Sequence, residues 1–328
     1  MHQNTIQISD NVLYNYGAHA FRFGASAVHN NFGFNQLSAP SGALSFTGAY
    51  TNNGSGTGGS GFADFLLGTP VSLTKSILPQ GTPYISYTEF GAFAQDMWRL
   101  TSRLTAVAGL RYDLFTSPID RKDRQSNFIP DDGVIAATPD GRGTIALASQ
   151  GGYSRAIIQT RKLNFIPRMS LACKLGDKNV VRSALGAYFF DEQETGSSAR
   201  LFLNYPFAQT FSTTCDGVTQ CLSTSTGIPL VPSAPNVPTV MYFPQRNPTP
   251  SVYQWNLTLE RQVTNSLAAR GSYADSKDTH LGITLNEDVA IPGPGSVLAR
   301  QPYAAYSSIS AWENRGVSSY NALQLSAE

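Results

Sequence analysis

Charge is scarce in this chain. Lys, Arg, Asp and Glu supply 14% of its 328 residues, against about 25% in typical soluble domains. The few charges balance to a net +1, so the chain carries no electrostatic footprint for nucleic acid. Long apolar runs are missing too, since stretches such as Ala106–Ala108 last only a few residues. A membrane-spanning helix needs roughly 20 apolar residues in succession, and that class is excluded. A membrane β-barrel is not, because its strands alternate apolar with polar residues and never build such a run. The opening MHQNTIQISDNV has neither the basic start nor the apolar core of a secretory leader. Taken alone that points to the cytoplasm. Yet Met1 stands directly ahead of a strand-like pattern, and the chain reads as a fragment, or as a product missing its front end. Cysteine is limited to Cys173, Cys215 and Cys221, in no zinc or redox spacing. Cys215 and Cys221 sit close together in a Thr/Ser-rich segment. In an oxidising compartment they could close a small disulfide loop; otherwise they are two free thiols in a flexible loop.

Aromatic residues, by contrast, are plentiful at 11%, with 18 Phe and 15 Tyr. Few charges beside many aromatics suggest a surface that is not wholly in water. The chain repeats one unit: strand, very short turn, strand, long loop. In TIQISDNVLYNYGAHAFRFGASAVHN, Ile6, Ile8, Val12 and Tyr14 share one parity, and the turn falls near Asn15–His19. YTEFGAFAQDMWRLTSRLTAVAGLRYDLF turns at Arg99–Arg103, and NFIPRMSLACKLGDKNVVRSALGAYFF turns at Gly176–Asn179. VYQWNLTLERQVTNSLAARGSYA turns near Val263–Asn265, and SSYNALQLSAE opens a ninth strand. Period-two alternation of this length reads as β-strand. Residues 116–163, 191–251 and 275–317 form long, Pro- and Ser-rich connections, which ordinary globular domains seldom carry in series. Short turns alternating with long loops are the outer-membrane pattern, periplasmic turns against extracellular loops. The expected fold class is therefore all-β: an antiparallel transmembrane β-barrel, partial, in one domain over residues 1–328. Residues 31–82 resist the scheme. They must cross the membrane either not at all, as an extracellular lid, or twice, adding short strands near 44–50 and 70–78.

Parity assigns the faces. Lipid should meet Leu104, Leu110, Tyr112, Leu185, Phe189, Trp255, Leu257, Leu259 and Leu267, with Trp98 as a girdle residue just before a turn. The lumen should receive Arg111, Asp113, Arg182, Gln254, Asn256, Glu260 and Arg270. An Arg on the lipid face costs about 2–4 kcal/mol at mid-bilayer. On the lipid parity of the fourth hairpin the one charge is Arg261, beside the turn, where it can snorkel. Pro167 inside a strand needs a bulge or a strand end, because a closed barrel has no free edge. A soluble β-sandwich fits the alternation equally well, but it explains the loop asymmetry poorly.

The strings FADFLLG, FAQDMWRLTSRLTAVAGLRYD, NFIPRMSLA with VVRSALGAYF, YQWNLTLERQ and SSYNALQLS resemble, in order, the β-barrel of Oar-like TonB-dependent transporters. The similarity runs from about Gln3 to the last residue. QDxW, a tight turn, then LT…GLRYD is its most specific part. The resemblance implies a barrel of about 22 strands with a plug in its lumen, and transport energised through TonB. No plug domain, TonB box or closing aromatic-ended strand is visible, so the chain resembles the first half of such a barrel. The expected partners are outer-membrane lipid, an extracellular ligand of unknown chemistry, and the TonB complex only through a plug domain absent from this chain.

Other motifs carry less. Gly54, Gly56 and Gly59 satisfy GxGxxG, but without a βαβ setting they read as a flexible loop. His2, His19, His29 and His280 show no ligand spacing and read as surface residues. Asp120, Asp123, Asp131 and Asp132, and likewise Asp275 and Asp278, lack EF-hand spacing and read as solvated loop tips. Asp191, Glu192 and Glu194 read as a charged barrel rim. No nucleophile elbow appears. No catalytic residue, metal or cofactor is expected. Two rivals to transport remain: an outer-membrane adhesin or structural surface protein, and a secreted all-β enzyme acting on polysaccharide through paired carboxylates.

Overall fold

A computed structural model describes residues 3–54, 56–130, 142–190, 198–228 and 238–328. Its first strands are β1 (Gln3–Tyr16), β2 (His19–Gly33), β3 (Ala43–Ser45) and β4 (Ser72–Ile77), with one α-helix, α1 (Gly61–Leu67), before β4. β5 (Tyr84–Arg99) and β6 (Leu104–Phe115) follow, then the short β7 (Ile119–Asp120), β8 (Ser126–Pro130) and β9 (Gly143–Leu147). Next come β10 (Asn164–Leu175), β11 (Asn179–Phe189), β12 (Gln209–Thr214) and β13 (Thr239–Tyr242). The chain finishes with β14 (Ser251–Thr264), β15 (Leu267–Asn286) and β16 (Ser308–Ala327).

The long strands form one antiparallel sheet in the order β1-β2-β5-β6-β10-β11-β14-β15-β16, with β13 added parallel to the start of β16. Each membrane-length hairpin is closed by a tight turn. Gly17 and Gly176 supply the positive φ (56° and 72°) that two of these turns require. Register puts all four turns at one end: His19 pairs with Trp98, Leu104 with Cys173, and Asn179 with Arg261. The remaining connections lie at the other end. The sheet is open, since β1 pairs only with β2, and the outer edge of β16 beyond Ala311 has no partner strand among the described residues.

Residues 31–82 make no crossing. β3 and β4 pair with each other and with β12 in a separate three-stranded sheet, and β2 neighbours β5 directly. Between them FADFLL forms α1, which the sequence reading did not anticipate. Ser60 caps its start and Gly68, in the left-handed region, closes it. Fully buried Asp64 accepts hydrogen bonds from Gly48 N, Tyr50 N and Thr51 Oγ1, tying the segment ahead of the glycine run to the helix.

Several expectations are corrected. The third long connection is shorter than the polar composition of 275–317 implied, because β15 and β16 each run for 20 residues and stay paired out to Asn286–Ser310. Only 9–11 tilted residues are needed to span a bilayer. A strand of 20 residues is about twice that length, and the extra half is free of the alternation that a spanning segment requires. Asp275 and Asp278 therefore sit in a strand, not at a loop tip. Asp120 is no solvated tip either: it is fully buried against Arg124 (Oδ2–Nε 2.7 Å). His19 and His29 lie within the sheet, bonded to Asp96 and Thr88, and His280 adopts a positive φ beside a register shift in β15. Pro167 pairs with Leu110 of β6, and the β10–β11 ladder starts one residue later at Arg168. Its missing N–H thus falls at a ladder end. Asp131, Asp132, Asp191, Glu192, Glu194 and His2 lie outside the described residues.

Candidate functional site

Following the register across the sheet assembles the two faces residue by residue. Ala94, Leu110 and Pro167 are neighbours on one face, as are Leu185 with Trp255 and Leu257 with Tyr273. Leu110, Leu257 and Leu259 are 50%, 49% and 52% exposed. These apolar side chains are uncovered and form no core. Leu104 and Tyr112 are more covered than their parity alone suggests, Tyr112 because it packs on Phe165 (ring centroids 5.0 Å). Trp98, near the turn end, stacks on His19 (5.2 Å), which stacks on Phe21 (5.4 Å) and beyond it Tyr14 and Tyr16. The same face holds charges that the sequence reading passed over. Asp96 bonds His19 (2.6 Å) beside the turn, and Asp10 sits opposite Ala25 in the edge strand β1. Carboxylates cost less than Arg on such a face.

The opposite face is polar. Arg111 grips Asp113 through two contacts (Nε–Oδ2 3.0 Å, Nη2–Oδ1 2.7 Å). Gly91, paired with Asp113, leaves room for that fork, since a Cβ there would collide with the guanidinium. Glu260 bridges Arg182 (2.8 Å) and Arg270 (3.3 Å). Asn256 lies between Ala184 and Ala274 on this face, and Arg168 rests over the Tyr188 ring at 5.1 Å. Half-exposed ion pairs contribute at most about 1 kcal/mol each, so stability alone gives little reason to string them along a strand wall. Positive charge is in excess: Arg22, Arg99, Arg111, Arg168, Lys174, Arg182 and Arg270 share this face with Glu89, Asp113, Glu260 and Asp278.

The loop end carries its own folded layer. Phe128, Val240, Tyr303, Ile309 and Ala311 form a water-excluding core there. The Asp120–Arg124 pair binds the carbonyls of Gln80 and Gly81 and the backbone N–H of Tyr84, fastening β7 to the start of β5. Cys215 and Cys221 are disulfide-bonded, with Cα atoms 5.7 Å apart, while Cys173 in β10 is free. Between residues 34–38, β4, β12 and β13 lies a cavity of about 830 Å³. Nothing in the sequence pattern signalled it, because its lining comes from segments far apart in the chain.

An open antiparallel sheet with one hydrocarbon face, one ion-paired face, tight turns at one end and folded loops at the other is the wall of an outer-membrane β-barrel. The chain belongs to the outer membrane beta barrel domain family, whose match runs over residues 1–328, and its place is the cell outer membrane. No curated protein sequence matches it. Among solved structures it is similar to the outer membrane transporter YddB from Escherichia coli, at 12% identity and a TM-score of 0.51, over 99% of this chain and 30% of that one. It also matches a ferric enterobactin receptor (PfeA) mutant from Pseudomonas aeruginosa, at 13% identity and TM-score 0.47, over 98% of this chain and 32% of that one. The siderophore receptor PirA from Acinetobacter baumannii matches at 11% identity and TM-score 0.46, over 99% and 34%. The chain thus spans about a third of the length of these transporters. Its fold matches that of TonB-dependent transporter barrels.

Proposed function

We propose that this chain is a stretch of barrel wall from an Oar-like TonB-dependent transporter that binds or takes up an extracellular solute. The observation that carries the reading is the division of one sheet into a half-exposed apolar face and an ion-paired face, with tight turns at one end only. On this reading Leu104, Leu110, Tyr112, Trp255, Leu257 and Leu259 face lipid, and Trp98 belongs to the periplasmic girdle. Arg111, Asp113, Arg182, Asn256, Glu260 and Arg270 line the path of the solute. Coupling to the TonB complex would run through a plug domain elsewhere in the complete protein. The Oar-like assignment rests on the FAQDMWRLTSRLTAVAGLRYD hairpin and the strings that follow it in order.

Strand parity supports a partial barrel. Successive strands are antiparallel, so β1 and β16, first and ninth of the long strands, run in the same direction. They cannot close antiparallel on each other, and an all-antiparallel barrel needs an odd number of further strands between them. The test is accessibility in intact cells expressing the full chain with Cys173→Ser. Ser296→Cys, in the β15–β16 loop, should react with a membrane-impermeant maleimide. Lys178→Cys, in the β10–β11 turn, should react only after lysis. The reverse pattern, or equal labelling of both, sinks the reading.

A further inference from the structure

The cavity at the loop end has a chemistry that selects among ligands. Its volume, about 830 Å³, lies within the range of small-molecule sites, about 300–1,000 Å³. One wall is a chain of hydroxyls, Ser38 to Ser76 (3.2 Å) to Thr210 (3.1 Å). A second hydroxyl pair, Thr239 and Ser307 (2.9 Å), lines the β13 side. The floor is rigid. Asn204 is 1% exposed and spends its whole amide on the backbone, donating to Ser126 O and Met241 O and accepting from Tyr205 N and Met241 N. Hydroxyls can turn to donate or accept, so this lining suits a ligand rich in hydroxyls of its own.

Among the described residues one charged residue lines the cavity, Arg200, and no carboxylate lines it or pairs with Arg200. A guanidinium offers a planar fork of donors matched to a carboxylate. The polar face of the sheet repeats the bias, its arginines and Lys174 exceeding its carboxylates. From this juxtaposition we infer that the cavity binds a short saccharide carrying a carboxylate, a uronic-acid oligosaccharide, with Arg200 holding the carboxylate. The inference rests on the transporter reading and names the solute class at its outer site.

Digalacturonate and the neutral disaccharide maltose are the probes, titrated against outer-membrane vesicles holding the full chain. Only preparations in which Ser296→Cys labels from outside are used, so failure of the transporter reading is seen before any sugar is added. Digalacturonate should bind at least fivefold more tightly than maltose. Arg200→Gln, an exposed substitution that leaves the lid core untouched, should weaken digalacturonate at least tenfold and leave maltose unchanged. Ala208→Phe, which pushes a ring into the cavity beside the Thr210 hydroxyl, should weaken binding of both at least tenfold. Absence of digalacturonate binding in correctly inserted vesicles overturns the inference. So does equal affinity for the two sugars, or a digalacturonate affinity that either substitution leaves unchanged.

Discussion

The sheet wall and the folded loops at its open end invert each other. In the wall, the large apolar side chains are outside: Leu257 and Leu259 are about half exposed, and their face has no covering layer. At the loop end, Phe128 and Ile309 are 0% exposed, and Phe128 meets Tyr242, Tyr303 and Tyr306 edge-on at 5.1–6.4 Å. Polar groups invert as well. Arg182 and Glu260 pair in the open on the wall, whereas Asp120 and Arg124 pair sealed from solvent. One chain has been written for two solvents. Where lipid is the surroundings, leucines outside carry no penalty and need no partner, and stability comes from the strand ladders, whose backbone groups lipid would not otherwise satisfy. Where water is the surroundings, the same residue types must find each other.

That contrast can be broken most forcefully at Phe128. Phe128→Ala should cost about 3–5 kcal/mol at the loop end, as large-to-small changes in packed cores do. Limited proteolysis should then cut between residues 142 and 163 while β10, β11 and β14 stay protected. Simultaneous loss of the strands would show that wall and lid fold as one unit and that the contrast is only geometric. A somewhat smaller effect separates the two faces of the wall. Leu257→Arg should lose about 2–4 kcal/mol of stability in the membrane. Asn256→Arg, its neighbour on the polar face, should stay within about 0.5 kcal/mol of the parent. Heat-modifiable migration of both variants in parallel measures the difference, and equal losses would remove the case for lipid on one side and water on the other.

The wall was legible in the sequence because its two faces differ, one apolar and one ion-paired, which imposes period two on its strands, and because a turn of two to four residues leaves little freedom. Three turns fall at Gly17, Thr101 and Asp177 as expected, and the fourth, expected near Thr264, falls at residues 265–266 because β14 runs to Thr264. The lid was not legible. Its strands β3, β4 and β12 find partners up to about 140 positions away, and nothing in LSFTGAY or VSLTKSIL names those partners. The extension of β15 past Lys277 was hidden for a related reason: its residues DTHLGITLN keep no strict alternation, although pairing to β16 persists. Asp120 misled because a buried, paired carboxylate and a solvated one look alike in sequence. The His19–Asp96 pair was missed because the two residues are neighbours across strands, not along one.

Asp120 and Asp288 offer the finest version of the comparison, within the lid itself. Both are fully buried, and burial pushes both carboxyls up. For Asp120 that is outweighed by the side-chain hydrogen bond from Arg124 and by backbone N–H groups of Arg124, Tyr84 and Lys122, which hold it below its ordinary value. Asp288 receives one backbone N–H, from Tyr303, its Oδ2 has no partner among the described residues, and burial wins, leaving it raised. The signs of the two linkages are therefore opposite. Asp288 binds its proton more tightly folded than unfolded, so its penalty is present at neutral pH and lifts as pH falls through its raised folded value. Asp120 contributes stability above its ordinary carboxylate value, about 3.9, and that contribution fades as pH falls further towards its depressed folded value. Resistance of the lid to pulse proteolysis should thus rise modestly from neutrality into mild acid and decline below about pH 4. Asp288→Asn should erase the rise, and Asp120→Asn should lower resistance at neutrality and erase the decline. A parent chain whose lid weakens steadily from pH 7 downward, with Asp288→Asn unable to change the slope, would mean that Asp288 finds a partner in solution.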